Sequence, residues 1–359
     1  MKRCSRCIAP ETYPRISFDE QGVCSLCSQR PPARRRLGQE ALLDRIRSVP
    51  RGPEFDCVIP LSGGKDSTYI LYRATRDLGL RAIAVNHDAG YQSDIARANV
   101  RIACETLGVP LVRSAVDQRV QRGMLREMLL VSEILGCFTG TCTDCEFVLR
   151  TLAINVARQH HVPFILWGSS ALESAEVSGY EEYRRGRTPW RALVSKASRL
   201  RSMGATPAQV VRLAPHLLSY MVRSMRQRRS MGAPLKYAFN PLSSMPFPES
   251  SPAVIHFFDY VEWDPATSTE LLRRELGWQH PENKESRFDC RLHCFVEHRM
   301  LRLTGISHTG ALSCRLVRDG KLGRAEALAK DEAATRTAAA ECAEIIEESG
   351  LRHYRMPPL

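Results

Sequence analysis

Apolar positions along the chain follow two rhythms. Short continuous runs at Val58-Ile59-Pro60-Leu61, Arg81–Asn86, Val109-Pro110-Leu111-Val112 and Val162–Trp167 have the length of buried strands. Between them apolar residues recur at helical spacing. Ile70, Leu71, Ala74 and Leu78 predict one helix, closed by Gly79. Ile95, Ile102 and Leu107 predict the next, with Ser93 as its N-cap and Gly108 as its stop. Further helices are expected from about Gln121 to Leu135 and from about Cys145 to His160. Strands separated by helices of this length predict an α/β fold with a doubly wound parallel sheet. Ligands of such sheets bind beyond the carboxyl ends of the strands. That rule gathers Ser62–Ser67, His87-Asp88 and Gly168-Ser169-Ser170 around one pocket.

Outside this core the pattern is mostly helical. A helix is expected from about Glu40 to Ser48, behind a linker carrying Pro31-Pro32 and Arg34-Arg35-Arg36. Residues 180 to 236 are rich in arginine, lysine and methionine, and Leu217, Leu218, Met221 and Met225 recur at helical spacing. They predict helices with one apolar and one basic face, read either as a solvated insertion or as a surface for an anionic substrate. A helix from about Ser268 to Leu276 ends at Gly277. Asp289 and His293 stand four apart, which on a helix gives them one face. They would serve acid–base chemistry, a metal, or a buried polar pair. Arg318–Leu322 reads as a turn, and a final helix should run from about Arg324 to Ser349. The expected organisation is a ribbon at 1–30, a basic linker and helix at 31–54, an α/β core at 55–178, a basic helical insertion at 179–250 and a mostly helical region at 251–359.

Composition narrows this picture. With 359 residues, 43% hydrophobic and 25% charged, the chain has the make-up of an ordinary globular protein. No apolar run approaches the roughly 20 residues that span a membrane. Met1-Lys2-Arg3-Cys4 opens no apolar leader, so a cytoplasmic location without membrane contact is expected. The net charge of +12 fits nucleic acid, ATP, nucleotide sugars and other anions alike. Thirteen cysteines in such a compartment point to metal rather than disulfides. Cys4-x2-Cys7 and Cys24-x2-Cys27 have the spacing of a tetrahedral Cys4 zinc site, with Asp19–Gly22 as the turn of a small hairpin. So short a segment builds no core, and the metal would supply its folding energy. A second CxxC, Cys142-Thr143-Asp144-Cys145, admits three readings: half of a metal or iron–sulfur site, a redox or sulfur-carrying pair, or thiols without a role. A helix start there would favour thiolate at Cys145.

The loop Ser62-Gly63-Gly64-Lys65-Asp66-Ser67 stands between a strand and a helix. Unpaired N–H groups at the helix start, close backbone approach at the glycines and the Lys65 charge together make an anion cradle. Its glycines are spaced unlike those of a Walker P-loop. The loop resembles the PP-loop (Ser-Gly-Gly-x-Asp-Ser) of the ATP pyrophosphatases, a HUP-like, adenine nucleotide alpha hydrolase-like superfamily. More of the chain resembles the N-acetyl sugar amidotransferases of bacterial surface-polysaccharide pathways. The similar stretches are Cys4–Cys7 with Thr12–Cys27, the loop itself, Tyr260–Asp264 and Arg318–Leu328. The resemblance implies adenylation of an acetamido oxygen by ATP with release of pyrophosphate. Ammonia, delivered by a separate glutaminase subunit, would then replace AMP. In that scheme Ser62, Gly63, Gly64, Lys65, Asp66 and Ser67 hold the phosphates, and Lys65 also stabilises developing charge. Asp66 is the expected Mg2+ ligand, and His87, Asp88 and Gly168 line the nucleoside or the activated oxygen. A homo-oligomer acting on a small anionic or sugar substrate is expected.

Two places depart from that family's pattern. Glu146 follows the central CxxC where the family tends to have histidine, and Ser169-Ser170 stands where it tends to have Glu-Asn. The loop, Cys142, Cys145 and the zinc-type start also resemble tRNA thiolation enzymes. There a CxxC and a distant third cysteine hold an iron–sulfur cluster, such as [4Fe-4S], and sulfur is the nucleophile. Cys290 is the candidate third ligand here, with Cys294 behind it. A third reading is a nucleic-acid-binding module whose loop only senses nucleotide.

Overall fold

The computed structural model describes residues 1–13, 16–29, 36–114, 117–135, 140–168, 206–230, 252–281 and 287–348. The basic residues expected at 180–205 fall outside them, as do Ser169, Ser170 and the side chain of Cys142. The chain divides into two compact units. One comprises Met1–Arg35, Gly136–Thr141 and His280–Leu359; the other comprises Arg36–Leu135 and Cys142–Gln279.

The second unit is built on a five-stranded parallel sheet of order β3-β2-β1-β4-β5. The strands are β1 (Cys57–Pro60), β2 (Ala82–Asn86), β3 (Leu111–Arg113), β4 (Phe164–Trp167) and β5 (Ala253–His256). Every residue of β1, β2 and β4 is buried, which accounts for their unbroken apolar runs. Asp56 anchors the start of β1. Its carboxylate accepts the Arg81 backbone N–H at 3.0 Å and the Arg81 guanidinium at 2.8 Å, with Arg51 at 3.3 Å. Burial opposes the Asp56 charge, but these arginine bonds outweigh it and hold the carboxyl below its usual range.

From β1 the chain steps outward to β2 and β3, then returns to place β4 on the other side of β1. In sheets of this kind a reversal of strand order marks where ligands bind, here at the carboxyl ends of β1 and β4. Helix α2 (Gln39–Arg47) precedes β1, after the short α1 (Ser25–Ser28) of the other unit. Helix α3 (Lys65–Tyr72) follows β1 and ends in a wider turn over Arg73–Asp77. Helix α4 (Asp94–Leu107) has the predicted caps: Ser93 Oγ accepts the Ala96 N–H, and Gly108 is left-handed. Then come α5 (Gln118–Leu135), α6 (Gly140–Gln159), α7 (Pro207–Ser230) and α8 (Pro265–Leu276).

Several expectations change. Strand β5 was not legible: it is an edge strand of which only Ile255 is fully buried, so its apolar run is short. The sheet unit runs through Gln279, so residues 252–279 belong to it rather than to a helical region spanning 251–359. Helix α6 begins at Gly140, which puts Cys145 in its second turn rather than at its start. On α7, Leu218 is 64% exposed. Among the described side chains of α7, Leu213 and Tyr220 are buried, and Tyr220 packs on Met124 of α5. Glu127 of α5 joins that seam, accepting from Ser219 Oγ at 2.9 Å and pairing with His216 Nδ1 at 2.8 Å.

The other unit joins the ribbon at the amino end to α9 (His293–Thr304), α10 (His308–Arg318) and α11 (Arg324–Glu348). Helix α9 starts at His293, so Asp289 precedes it and the two share no helical face; Asp289 pairs with Arg287 at 3.3 Å. The turn expected at 318–322 is present, with Gly320 left-handed. Ribbon and helices share one core, in which Ile8 and Ala9 pack with Ile306, Cys314 and Ala327. Buried Asp331 of α11 ties them further. It pairs with Arg3 at 2.8 Å and accepts the N–H and hydroxyl of Ser307, the N-cap of α10, at 2.9 and 2.6 Å. Among the described residues no helix is long and apolar enough to cross a membrane.

Candidate functional site

The loop between β1 and α3 is held by its carbonyls. Asn86 Nδ2 donates to Leu61 O at 2.8 Å and Gln92 Nε2 to Ser62 O at 2.7 Å. Gly63 O accepts Trp278 Nε1 at 3.0 Å and Asn99 Nδ2 at 3.2 Å. Ser62 N–H donates to Ser67 Oγ at 3.1 Å, and Gly64 N–H to Ser62 Oγ at 3.3 Å. With the acceptors turned inward, the first N–H groups of α3 lie beyond the end of β1 and have no acceptor within their own helix. Gly63 has φ +82°, and a Cβ there would overlap the Ala96 carbonyl of α4. Close packing and a left-handed backbone therefore both require glycine.

Lys65 and Asp66 occupy one another. Lys65 Nζ lies 2.9 and 3.0 Å from the two Asp66 oxygens and 4.8 Å from the centroid of the Trp263 ring. Trp263 Nε1 donates to Asp66 Oδ1 at 2.8 Å. A divalent cation at Asp66 would therefore compete with the Lys65 ammonium. Phe257 and Phe258 are buried after β5 and pack with Tyr69 of α3, with ring centroids 6.3 and 6.4 Å from it. That packing fixes the segment that delivers Trp263.

Beyond β2, Asp88 is also engaged. Its Oδ2 accepts Arg97 Nε at 2.7 Å, and its Oδ1 accepts Gly90 N–H at 2.7 Å and Gln92 N–H at 3.4 Å. Burial works against its charge, yet the Arg97 bond holds the carboxyl below its usual range. Asp88 thus orients Gln92, which in turn holds Ser62. His87 Nδ1 meets Ser114 Oγ at 2.6 Å. Burial depresses His87 to about 4 despite the neighbouring Asp88. A base depressed in the folded state contributes stability above its unfolded pKa of about 6.5 and loses it as pH falls toward 4, at about 1 kcal/mol per pH unit. Urea midpoints at pH 7 and pH 5 should therefore differ less in His87→Gln than in the wild type. Equal differences would exclude this role. Gly168 follows β4, and a Cβ there would press Ile70 of α3 at 3.2 Å.

The loop, His87, Asp88 and Gly168 thus all follow the carboxyl ends of strands, as the chain pattern predicts. Sequence reading did not find Asn86, Gln92, Arg97, Asn99, Trp263 or Trp278 as parts of the site. One signal was available: Asn99 interrupts the apolar stripe of Ala96, Val100 and Ala103 with a buried amide.

A second site lies in the ribbon, where Cys4, Cys7, Cys24 and Cys27 are all buried and their sulfurs converge. Cys4 and Cys27 sulfurs are 3.9 Å apart, and those of Cys7 and Cys24 are 3.7 Å apart. A tetrahedral zinc with Zn–S of about 2.3 Å needs sulfurs about 3.8 Å apart. Cys4 Sγ accepts N–H groups from Cys7 and Cys24, and Cys7 Sγ accepts that of Ala9. A thiol donated by Cys314 of α10 lowers Cys7 to about 4. Burial pushes Cys24 up to about 11 and Cys27 higher still, with the Cys7 thiolate adding repulsion. A cation at the centre would relieve that repulsion. The four residues suit a metal such as zinc. Arg324 of α11 donates to the carbonyls of Cys4 and Cys7 at 3.3 and 3.0 Å.

Of the remaining predicted ligands, Cys145 is half-buried on α6, while Cys290 belongs to the other unit and precedes α9. The sequence matches no protein-family model and no curated protein.

Proposed function

We propose that the protein is an ATP-dependent adenylating enzyme of PP-loop type, which activates an amide or carboxyl oxygen and lets a nitrogen nucleophile displace AMP. The observation that carries this reading is the Ser62–Ser67 loop, whose carbonyls are tied inward and whose amides and Lys65 lie at the reversal point of the sheet. Such a cradle suits phosphate. The acceptor oxygen attacks the α-phosphorus of ATP, the bond to the β-phosphate oxygen breaks, and pyrophosphate leaves. Ammonia then adds to the activated carbon, loses protons to solvent, and AMP departs with the original oxygen.

The loop amides and Ser62 and Ser67 would hold phosphate oxygens. Lys65, released from Asp66, would neutralise charge developing on the leaving pyrophosphate. Magnesium, when bound, would shield the phosphates, and Asp66 would be its carboxylate ligand. Trp263 keeps Lys65 and Asp66 in position. An N-acetyl sugar is the proposed acceptor and a separate glutaminase the ammonia source, both on the resemblance described above. The ribbon is proposed to be structural, because its metal ligands are buried in the core it shares with α10 and α11.

The test is pyrophosphate and AMP release by the full chain with Mg-ATP, ammonium and N-acetyl sugars. Lys65→Ala should fold and lose activity about 100- to 1,000-fold, the scale of removing one charge-stabilising donor. Full activity in that variant, or no ATP binding by the wild type, would refute the reading. Activity with sulfide but not ammonium, lost in Cys142→Ser/Cys145→Ser, would move the reaction to sulfur transfer.

A further inference from the structure

We propose that His293, Glu297 and His308 form a second metal site, for a borderline divalent ion such as zinc. His293 opens α9, and Glu297 lies one turn on, so their side chains share a face. His308 is the first residue of α10, directly after its N-cap Ser307. The ligating atoms of the three residues all lie within 4.8 Å of one another. His293 Nε2 and Glu297 Oε1 are 3.2 Å apart, and the rings of His293 and His308 meet edge to face at 4.9 Å.

Zinc takes nitrogen and carboxylate oxygen at about 2.0–2.2 Å, so tetrahedral ligand edges are about 3.4 Å. The His293–Glu297 edge already matches, and rotation of the His308 ring would close the third corner. The donor set is two imidazoles and one carboxylate, which zinc binds with a fourth position left open. Absence of thiolate from the set favours first-row divalent ions that accept nitrogen and oxygen.

A buried ion pair explains only part of this cluster. His293 and Glu297 are both almost wholly buried, and Glu297 is further oriented by Thr309, whose hydroxyl and N–H donate at 2.6 and 3.1 Å. Such outer bonds orient carboxylates that ligate metals. His308 Nδ1, however, is buried with no hydrogen-bond partner among the described residues. A metal ion would take that lone pair, balance the carboxylate, and clamp the start of α9 to the start of α10.

Cobalt titration of the chelator-treated full chain tests this. The Cys4 site should give intense thiolate-to-cobalt charge transfer. A second equivalent should add visible d–d absorption without it, which also separates this site from any site using Cys142, Cys145 or Cys290. His308→Ala should bind one equivalent fewer and keep the charge-transfer band at full intensity. His308→Gln, which preserves side-chain volume better, replaces it if the alanine variant does not fold. Saturation of the wild type with no charge-transfer-free equivalent, or retention of that equivalent in the His308 variants, would overturn the proposal.

Discussion

Replacing Cys4 with serine is expected to release the ribbon metal and unfold the amino-terminal segment, loosening the helices built around it. Cys4 Sγ faces Cys27 at 3.9 Å and accepts two backbone N–H groups, so its loss removes a ligand and unties two turns of the ribbon. The ribbon's own apolar mass is small: Ile8 and Ala9 are buried beside the cysteines, and Tyr13, Ile16, Phe18 and Val23 pack against them only partly buried. Structural zinc binding contributes about 10–16 kcal/mol in comparable small sites, as much as the whole stability of a typical domain. Without the cation, four buried sulfurs would have to be protonated or repel one another. Loss would spread, because Asp331, Arg324, Ile306 and Cys314 pack on or bond to the ribbon. Metal analysis with thermal unfolding measures this. The variant should lose one metal ion per chain relative to the wild type, and both it and the chelator-treated wild type should lose the cooperative transition of this unit. A metal-free protein that melts as the wild type does would refute the coupling.

The second large effect is expected at Gly63. Alanine there meets two separate penalties. A left-handed backbone costs a non-glycine residue about 1–2 kcal/mol, and overpacking costs about 1–3 kcal/mol. The overpacking is against backbone, since the new Cβ would overlap Ala96 O, so α4 itself must shift. That shift drags Asn99, which holds both Gly63 O and Gln279. Gly63→Ala should therefore lose about 2–5 kcal/mol of stability, and under the proposed function ATP affinity should fall even where the fold survives. Gly79→Ala is the control. Its φ is +59° but nothing lies within 4 Å of the added Cβ, so only the backbone penalty applies. Urea unfolding and calorimetric ATP titration of the two variants check this. Equal stability losses, with ATP binding intact in Gly63→Ala, would remove the close-packing argument.

The apolar runs at β1, β2 and β4 and the caps of α4 determined a parallel α/β sheet, because each is a local signal strong enough to stand alone. Four cysteines in two CxxC pairs likewise determined their own convergence, since each pair needs only a tight turn. Tertiary structure decided what depends on distant partners. Strand β5 exists because the edge of β4 accepts it, as its own residues other than Ile255 are only half-buried. Trp263 and Trp278 reach the loop across some two hundred residues of sequence, at separations of 197 and 215. Asp289 and His293 looked paired by spacing, yet the helix starts between them and His293 turns to Glu297 instead. His308 joins that pair through the packing of α9 and α10, a juxtaposition that spacing along the chain does not encode.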